Sequence, residues 1–119
     1  MEKVGKGASV YLKFLNLVNA LDSSQAFPTL DATEEKLLQQ LAAAWGADKR
    51  ITVLETMGMD ADVSATTIHR RLKSLSKKGI ISLAMDEQDN RVKYVLPTAL
   101  ATDYFAKLSK CLVAATKGR

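Results

Sequence analysis

Apolar residues recur along the chain with two different periods, and the change between them outlines its architecture. Val10, Phe14, Leu17, Val18 and Leu21 follow helical spacing and predict a helix from Ala8 to Leu21, within an N-terminal helical segment 8–22. The polar run from Asp22 to Thr29, interrupted by Pro28, breaks that period and reads as a loop. Asp31 with Glu34 three residues on is a capping-box start, and Leu37, Leu38, Leu41 and Trp45 continue a second helix that Gly46 is expected to end. Residues 46–50 read as a turn, with room for a one-step strand at 49–51. Thr52 and Glu55 repeat the capping spacing. They open a two-turn helix whose apolar face is expected from Val53, Leu54 and Met57, with Gly58 as its C′ residue. After a connection over 59–63, Ser64 is the N-cap of a fourth helix that carries Ala65, Ile68, Leu72 and Leu75 on its core side and stops at Gly79.

The period then falls from 3.6 to 2. Ile81, Leu83 and Met85 alternate, Val92, Tyr94 and Leu96 alternate, and the polar turn 86–90 joins them into a β-hairpin that Pro97 stops. Thr98 is suited to cap a last helix with Leu100, Tyr104, Leu108, Cys111, Leu112 and Ala115 on one face, ahead of a frayed tail at 117–119. The fold class is therefore mainly α with one β-hairpin, in a single domain of 119 residues. A two-helix turn unit leads directly into the hairpin.

Composition narrows the function classes. Apolar residues make up 47% and charged residues 25%, the balance of an ordinary globular protein. No run approaches the length of a transmembrane helix, and the N-terminus lacks a leader pattern, so the chain is expected to be cytoplasmic and unprocessed, with no membrane partner. Cys111 is the single cysteine and fits a small core or interface hydrophobe. With His69 the single histidine, neither a metal site nor a Cys–His or Ser–His catalytic set has a basis. No phosphate-binding glycine loop occurs either, so no enzyme activity and no cofactor are expected.

Charge is more informative in its distribution than in its total of +4. Residues 1–61 hold six Lys/Arg against eight Asp/Glu, while 62–93 hold seven against four. From Ser64 to Gly79 there are five cations (Arg70, Arg71, Lys73, Lys77, Lys78) and no acid. On a helical wheel Thr66, Arg70, Lys73 and Lys77 lie opposite the core stripe with Ser74 beside them, and Thr67 and His69 flank them. Arg71 falls near the core edge and suits an internal ion pair. Hydroxyls at a helix N-terminus can bind phosphate, an arginine further along can read a guanine edge, and lysines can hold phosphates. Asp60 and Asp62 just upstream would repel phosphate if they faced it, and are expected to serve the helix dipole instead. In the hairpin, Asp89 and Arg91 point the same way if the chain is extended, so the carboxylate can orient the guanidinium for a minor groove. Lys93 follows on the same strand face within reach of a phosphate.

The run from Ser64 to Ile81, then Asp89-Asn-Arg91, then Leu96-Pro-Thr98, resembles the winged helix-turn-helix of MarR-type transcriptional regulators. The likeness covers about Leu30 to Lys110. It implies a winged helix-turn-helix over 30–97, with helix 64–78 in the major groove of double-stranded DNA and wing 86–91 at the minor groove. The DNA-contacting set is then Ser64, Thr66, Thr67, His69, Arg70, Lys73, Lys77, Arg91 and Lys93, with Asp89 supporting the wing. The chain departs from the family pattern in Pro97, in Ala101 where glycine is usual, and in one C-terminal helix where two are usual.

The flanking helices, 8–22 and 98–117, each carry an apolar stripe beyond what the middle unit needs. They are expected to cover each other or a second copy, which would make a homodimer on a two-fold site. No residue pattern supports a small-molecule effector. Two rival readings use the same fold: a winged-helix protein-interaction module, and a replication- or plasmid-type DNA-binding protein without a transcriptional role. A basic, hydroxyl-bearing helix face favours DNA over a protein partner.

Overall fold

The computed structural model describes residues 6–24 and 27–117, and of Lys6 the backbone alone. Gln25 and Ala26 of the expected loop, and Gly118 and Arg119 of the expected frayed tail, lie outside the described residues. After a 3-10 turn at Lys6–Ala8, the elements are α1 (Ser9–Ser23), α2 (Ala32–Gly46), α3 (Val53–Met57), α4 (Ala65–Lys77), β1 (Ile81–Met85), β2 (Lys93–Pro97) and α5 (Ala99–Thr116). The chain is mainly helical with one antiparallel hairpin. It divides into two compact units, Leu30–Ala101 and the paired terminal segments Met1–Thr29 and Thr102–Arg119.

In the central unit both capping boxes form. The Asp31 carboxylate accepts the Glu34 N–H at 2.7 Å while Glu34 accepts the Asp31 N–H at 2.9 Å. Thr52 and Glu55 exchange the same pair at 3.1 and 2.9 Å. Gly46 ends α2 as expected. It is the last helical residue, and the left-handed position falls on Asp48, φ 59°, where the Asp48 and Lys49 N–H groups close back onto Trp45 and Ala44. Aspartate tolerates that conformation better than most residues.

Helix α3 differs from expectation in its phase. Leu54 is 77% exposed, and Thr56 is the fully buried residue, its hydroxyl donating to the Thr52 carbonyl at 2.8 Å. With five residues the helix is oriented by its cap and by the Thr52–Tyr94 bridge rather than by its own stripe. Gly58, expected at C′ with left-handed backbone, has φ −99° and is an ordinary C-cap. Helix α4 starts on Ser64, which accepts the Thr67 N–H, and ends in a left-handed Gly79, φ +78°. The Gly79 and Ile80 N–H groups donate to Ser76 and Leu75, and buried Ile80 anchors the exit.

The hairpin pairs Ile81 with Pro97, Leu83 with Val95 and Met85 with Lys93. Pro97 is thus the last paired residue of β2. Ile81 and Val95 are buried, but burial fades toward the tip, leaving Leu83 and Met85 exposed. The alternation expected to run from Val92 begins one residue late. The inward residue of β2 is Val95, and Tyr94 and Leu96 lie on the other face opposite Ala84 and Ser82. The one-step strand expected at 49–51 falls one residue later, as the Thr52–Tyr94 bridge, with the Val95 N–H donating to the Ile51 carbonyl at 2.8 Å. Trp45 donates its indole N–H to the Val95 carbonyl at 3.0 Å. The core gathers Leu37, Leu41, Ile68, Leu72, Leu75, Ile80, Ile81 and Val95, and α4 packs on α2, α3 and β1. Each such side chain contributes roughly 1.5–3 kcal/mol by leaving water.

In the terminal unit, the α1 stripe Val10, Phe14, Leu17, Val18 and Leu21 is half-buried, while Tyr11 and Leu15 on the same helix are exposed. The helix runs two residues past its expected end, because Ser23 and Ser24 hydroxyls bond back to the Asn19 and Leu21 carbonyls. Thr98 caps α5 as expected, accepting the Ala101 N–H at 3.3 Å. Of the predicted α5 face, Ala115 is buried and Tyr104, Leu108 and Cys111 are half-buried, but Leu112 is exposed with Val113 beside it. Phe27 stacks on Tyr104 at 4.0 Å, the Tyr104 hydroxyl donates to Asp22, and Lys13 donates to the Lys117 carbonyl. Among the described residues no helix is long and apolar enough to cross a membrane.

Candidate nucleic-acid interface

Helix α4 sorts its residues by what lies behind them. Ile68, Leu72 and Leu75 are buried, and Thr66, His69, Arg70, Lys73 and Lys77 are exposed. From Thr66 to Lys77 that exposed edge extends about 16 Å at the rise of an α-helix, enough to follow a major groove about 12 Å wide. The side chains of Arg70, Lys73 and Lys77 form no hydrogen bond or ion pair with the described residues. Their charge is available to a ligand. Ser64 is exposed but engaged, accepting the Thr67 N–H at 3.1 Å and donating to the Thr67 hydroxyl at 2.9 Å. Thr67 is half-buried by the same exchange.

Three expectations for this stretch change. Ala65, assigned to the core stripe, is exposed, because the first turn of α4 runs beyond the packed layer. Ser74, assigned to the outer face, turns its hydroxyl to the Glu34 carboxylate at 2.5 Å. Lys78 leaves the cationic set by binding both Glu34 oxygens, at 2.8 and 3.0 Å. Asp60 has partners the sequence did not suggest: it pairs with Lys36 at 2.7 Å and accepts the Asp62 N–H. Arg71 does turn inward, 3.4 Å from Asp31. The five cations of the run therefore divide into two that brace α4 against the start of α2 and three that face outward.

Glu34 is the residue that sequence reasoning missed. It was legible as a capping partner, but nothing local signals that it is 2% exposed and receives groups 40 and 44 residues away. Burial works to raise its pKa. The hydrogen bonds from Lys78, Ser74 and the Asp31 N–H, with the Lys78 charge, overcome that and hold the carboxyl down at about 2.

At the wing, Asp89 orients Arg91 as expected, by a different route. The chain is a turn there, not extended. The Asp89 carboxylate accepts the Arg91 backbone N–H at 3.0 Å, its Nε–H at 3.1 Å and its Nη2 at 3.3 Å. These bonds from Arg91 hold the Asp89 carboxyl below its ordinary range. Asp89 is half-buried, while the Arg91 side chain is 90% exposed at the tip. Lys93 is exposed on the face of Met85 and Val95, and Arg91, lying before β2, does not share a strand face with it. Arg50 is a further cation here, its guanidinium 3.9 Å above the Tyr94 ring. Their separation in sequence hides that pairing. All the predicted DNA-contacting residues belong to the central unit. Among the described residues no group of three His, Cys, Asp or Glu is arranged to hold a metal.

No protein-family model matches the sequence, and no curated protein matches it. Solved structures do match. A MarR-like transcriptional regulator from Thermotoga maritima superposes with a TM-score of 0.60 at 17% identity, covering 96% of this chain and 80% of its own. Wild-type MarR from E. coli in its apo form gives 0.55 at 22%, covering 98% and 80%. The heme sensor protein PefR from Streptococcus agalactiae, in complex with heme, gives 0.54 at 20%, covering 99% and 82%. At these identities the likeness establishes the fold, the winged helix-turn-helix of MarR-type structures.

Proposed function

We propose that the protein is a sequence-specific double-stranded DNA-binding transcriptional regulator that acts as a homodimer without enzymatic activity. Helix α4 lies in the major groove, where Arg70 reads base edges, Lys73 and Lys77 hold phosphates, and Ser64, Thr66, Thr67 and His69 meet the backbone or base flanks. Arg91 enters the minor groove from the wing and Lys93 reaches a phosphate nearby. The observation that carries this reading is the exposed Arg70–Lys73–Lys77 edge, cationic and unpaired, on the side of α4 opposite its buried stripe. A protein-binding face would be apolar or acidic there.

The dimer rests on the terminal unit. Tyr11, Leu15, Leu112 and Val113 leave apolar surface exposed on both flanking helices, and a second copy is the partner that gives two recognition helices the symmetry of a palindromic site. Selection of bound sequences from random duplexes tests both parts. The expected result is an enriched motif of two inverted half-sites about one helical turn apart. Failure to enrich any sequence would overturn the DNA reading, and a single half-site would overturn the dimer.

A further inference from the structure

Arg91 stands at the end of a loop whose shape is set by carboxylates. Asp86 and Val92 close its base, the Asp86 N–H donating to the Val92 carbonyl at 2.9 Å, and the Val92 N–H returns to Asp89 at 3.0 Å. Inside that ring one Asp86 oxygen accepts the N–H groups of Gln88 at 3.0 Å and Asp89 at 3.1 Å. The Asp89 carboxylate then holds Arg91. The second Asp86 oxygen accepts the Tyr94 hydroxyl at 3.2 Å, and the Tyr94 ring lies beneath the Arg50 guanidinium. A continuous path therefore runs from the segment preceding α3, through a tyrosine on β2, to the loop that presents the wing arginine. Tyr94 and Asp86 are both half-buried, so the bond between them is partly shielded from water.

We propose that Asp86 and Tyr94 are positioning residues for the wing: Asp86 folds the tip around its own carboxylate, and Tyr94 fixes that carboxylate so that Arg91 is presented in one orientation. The functional half of this inference rests on the DNA-binding reading above, and the structural half does not. An arginine presented by a fixed loop loses less freedom on entering a groove, which raises affinity without adding a contact.

Two variants test it. Tyr94→Phe keeps the ring under Arg50 and removes the hydroxyl alone, and Asp86→Ala removes the whole acceptor. In the free protein, ¹⁵N relaxation should show backbone order falling over residues 87–91, strongly in Asp86→Ala and less in Tyr94→Phe, with α2 and α4 unchanged. A tip as rigid as the native one in both variants overturns the proposal. On the selected duplex, Tyr94→Phe should weaken binding roughly three- to tenfold, the range of one net hydrogen bond. Added to Arg91→Ala, it should weaken binding no further. Additive losses in the double variant mean that Tyr94 acts elsewhere and overturn the functional half. If the native protein selects no duplex, the DNA reading fails while the relaxation result still decides the positioning role.

Discussion

Replacing Glu34 by glutamine removes one charge from a buried carboxylate of the central unit. The native carboxylate is 2% exposed and accepts four hydrogen bonds, from the Asp31 N–H, the Ser74 hydroxyl and, twice, Lys78. Glutamine keeps the size and one carbonyl acceptor, so the capping box survives, but it cannot accept from both Ser74 and Lys78. Hydrogen bonds to a charged group are worth about 1.5–3 kcal/mol each. Lys78 is partly exposed and can turn to water instead of remaining as a stranded charge. The expected loss is about 2–3 kcal/mol. Titration gives a second route to the same quantity. A carboxyl lowered from 4.5 to about 2 contributes roughly 3 kcal/mol. Because the folded value is the lower one, that contribution is complete above pH 4.5 and drains away as pH falls toward 2. Trp45, the single tryptophan, sits in the same unit and bonds Val95, so its fluorescence reports urea unfolding there. Glu34→Gln should lower stability at pH 7 and flatten its decline between pH 5 and 2 relative to the native protein. A variant within 0.5 kcal/mol of native (about the scatter of neutral surface changes), or one with an unaltered acid limb, would refute the reasoning.

Gly79 and Gly46 should respond with opposite signs. Gly79→Ala, forced into φ +78° with open space around the new methyl, should cost about 1–2 kcal/mol, whereas Gly46→Ala, inside α2 and equally unobstructed, should stabilise by about 0.5–1 kcal/mol; urea midpoints measure both. Arg70→Ala should weaken binding to the selected duplex by roughly 1–3 kcal/mol and relax preference at one base position. Lys73→Ala should weaken all duplexes alike, which competition between selected and scrambled duplexes distinguishes. Leu112→Glu should shift the protein to monomer in sedimentation velocity, with Trp45 unfolding unchanged.

Local rules carried most of the fold because the residues that punctuate this chain do so by local chemistry. Asp31–Glu34, Thr52–Glu55, Ser64 and Thr98 all cap where their spacing says, since each bond spans three residues. The errors fall where a distant partner decides. Leu54 and Thr56 exchange roles because a bridge to Tyr94 sets the orientation of α3. Ser74 leaves the outer face, and Lys78 leaves the set of available cations, because Glu34, from another helix, claims both. The interface was legible as a face of α4, but which of its cations remain free depends on acids that sequence spacing cannot bring alongside. The wing pair Asp89–Arg91 was readable for the opposite reason. Its bond is local, and it forms in a turn as readily as it would in a strand.

The division of the basic run has a thermodynamic consequence. With Arg71 and Lys78 held by Asp31 and Glu34, and with Arg70 and Arg91 assigned to the grooves, the proposed face offers three lysines per protomer for phosphates: Lys73, Lys77 and Lys93. Each phosphate neutralised releases condensed counterions and contributes roughly −0.9 to the slope of log affinity against log salt concentration. One protomer working through these three contacts reaches a slope of about −2.7. Two reach about −5.4. By withdrawing two of its cations into the scaffold, the chain makes the salt exponent of its binding a measure of how many copies stand on the duplex.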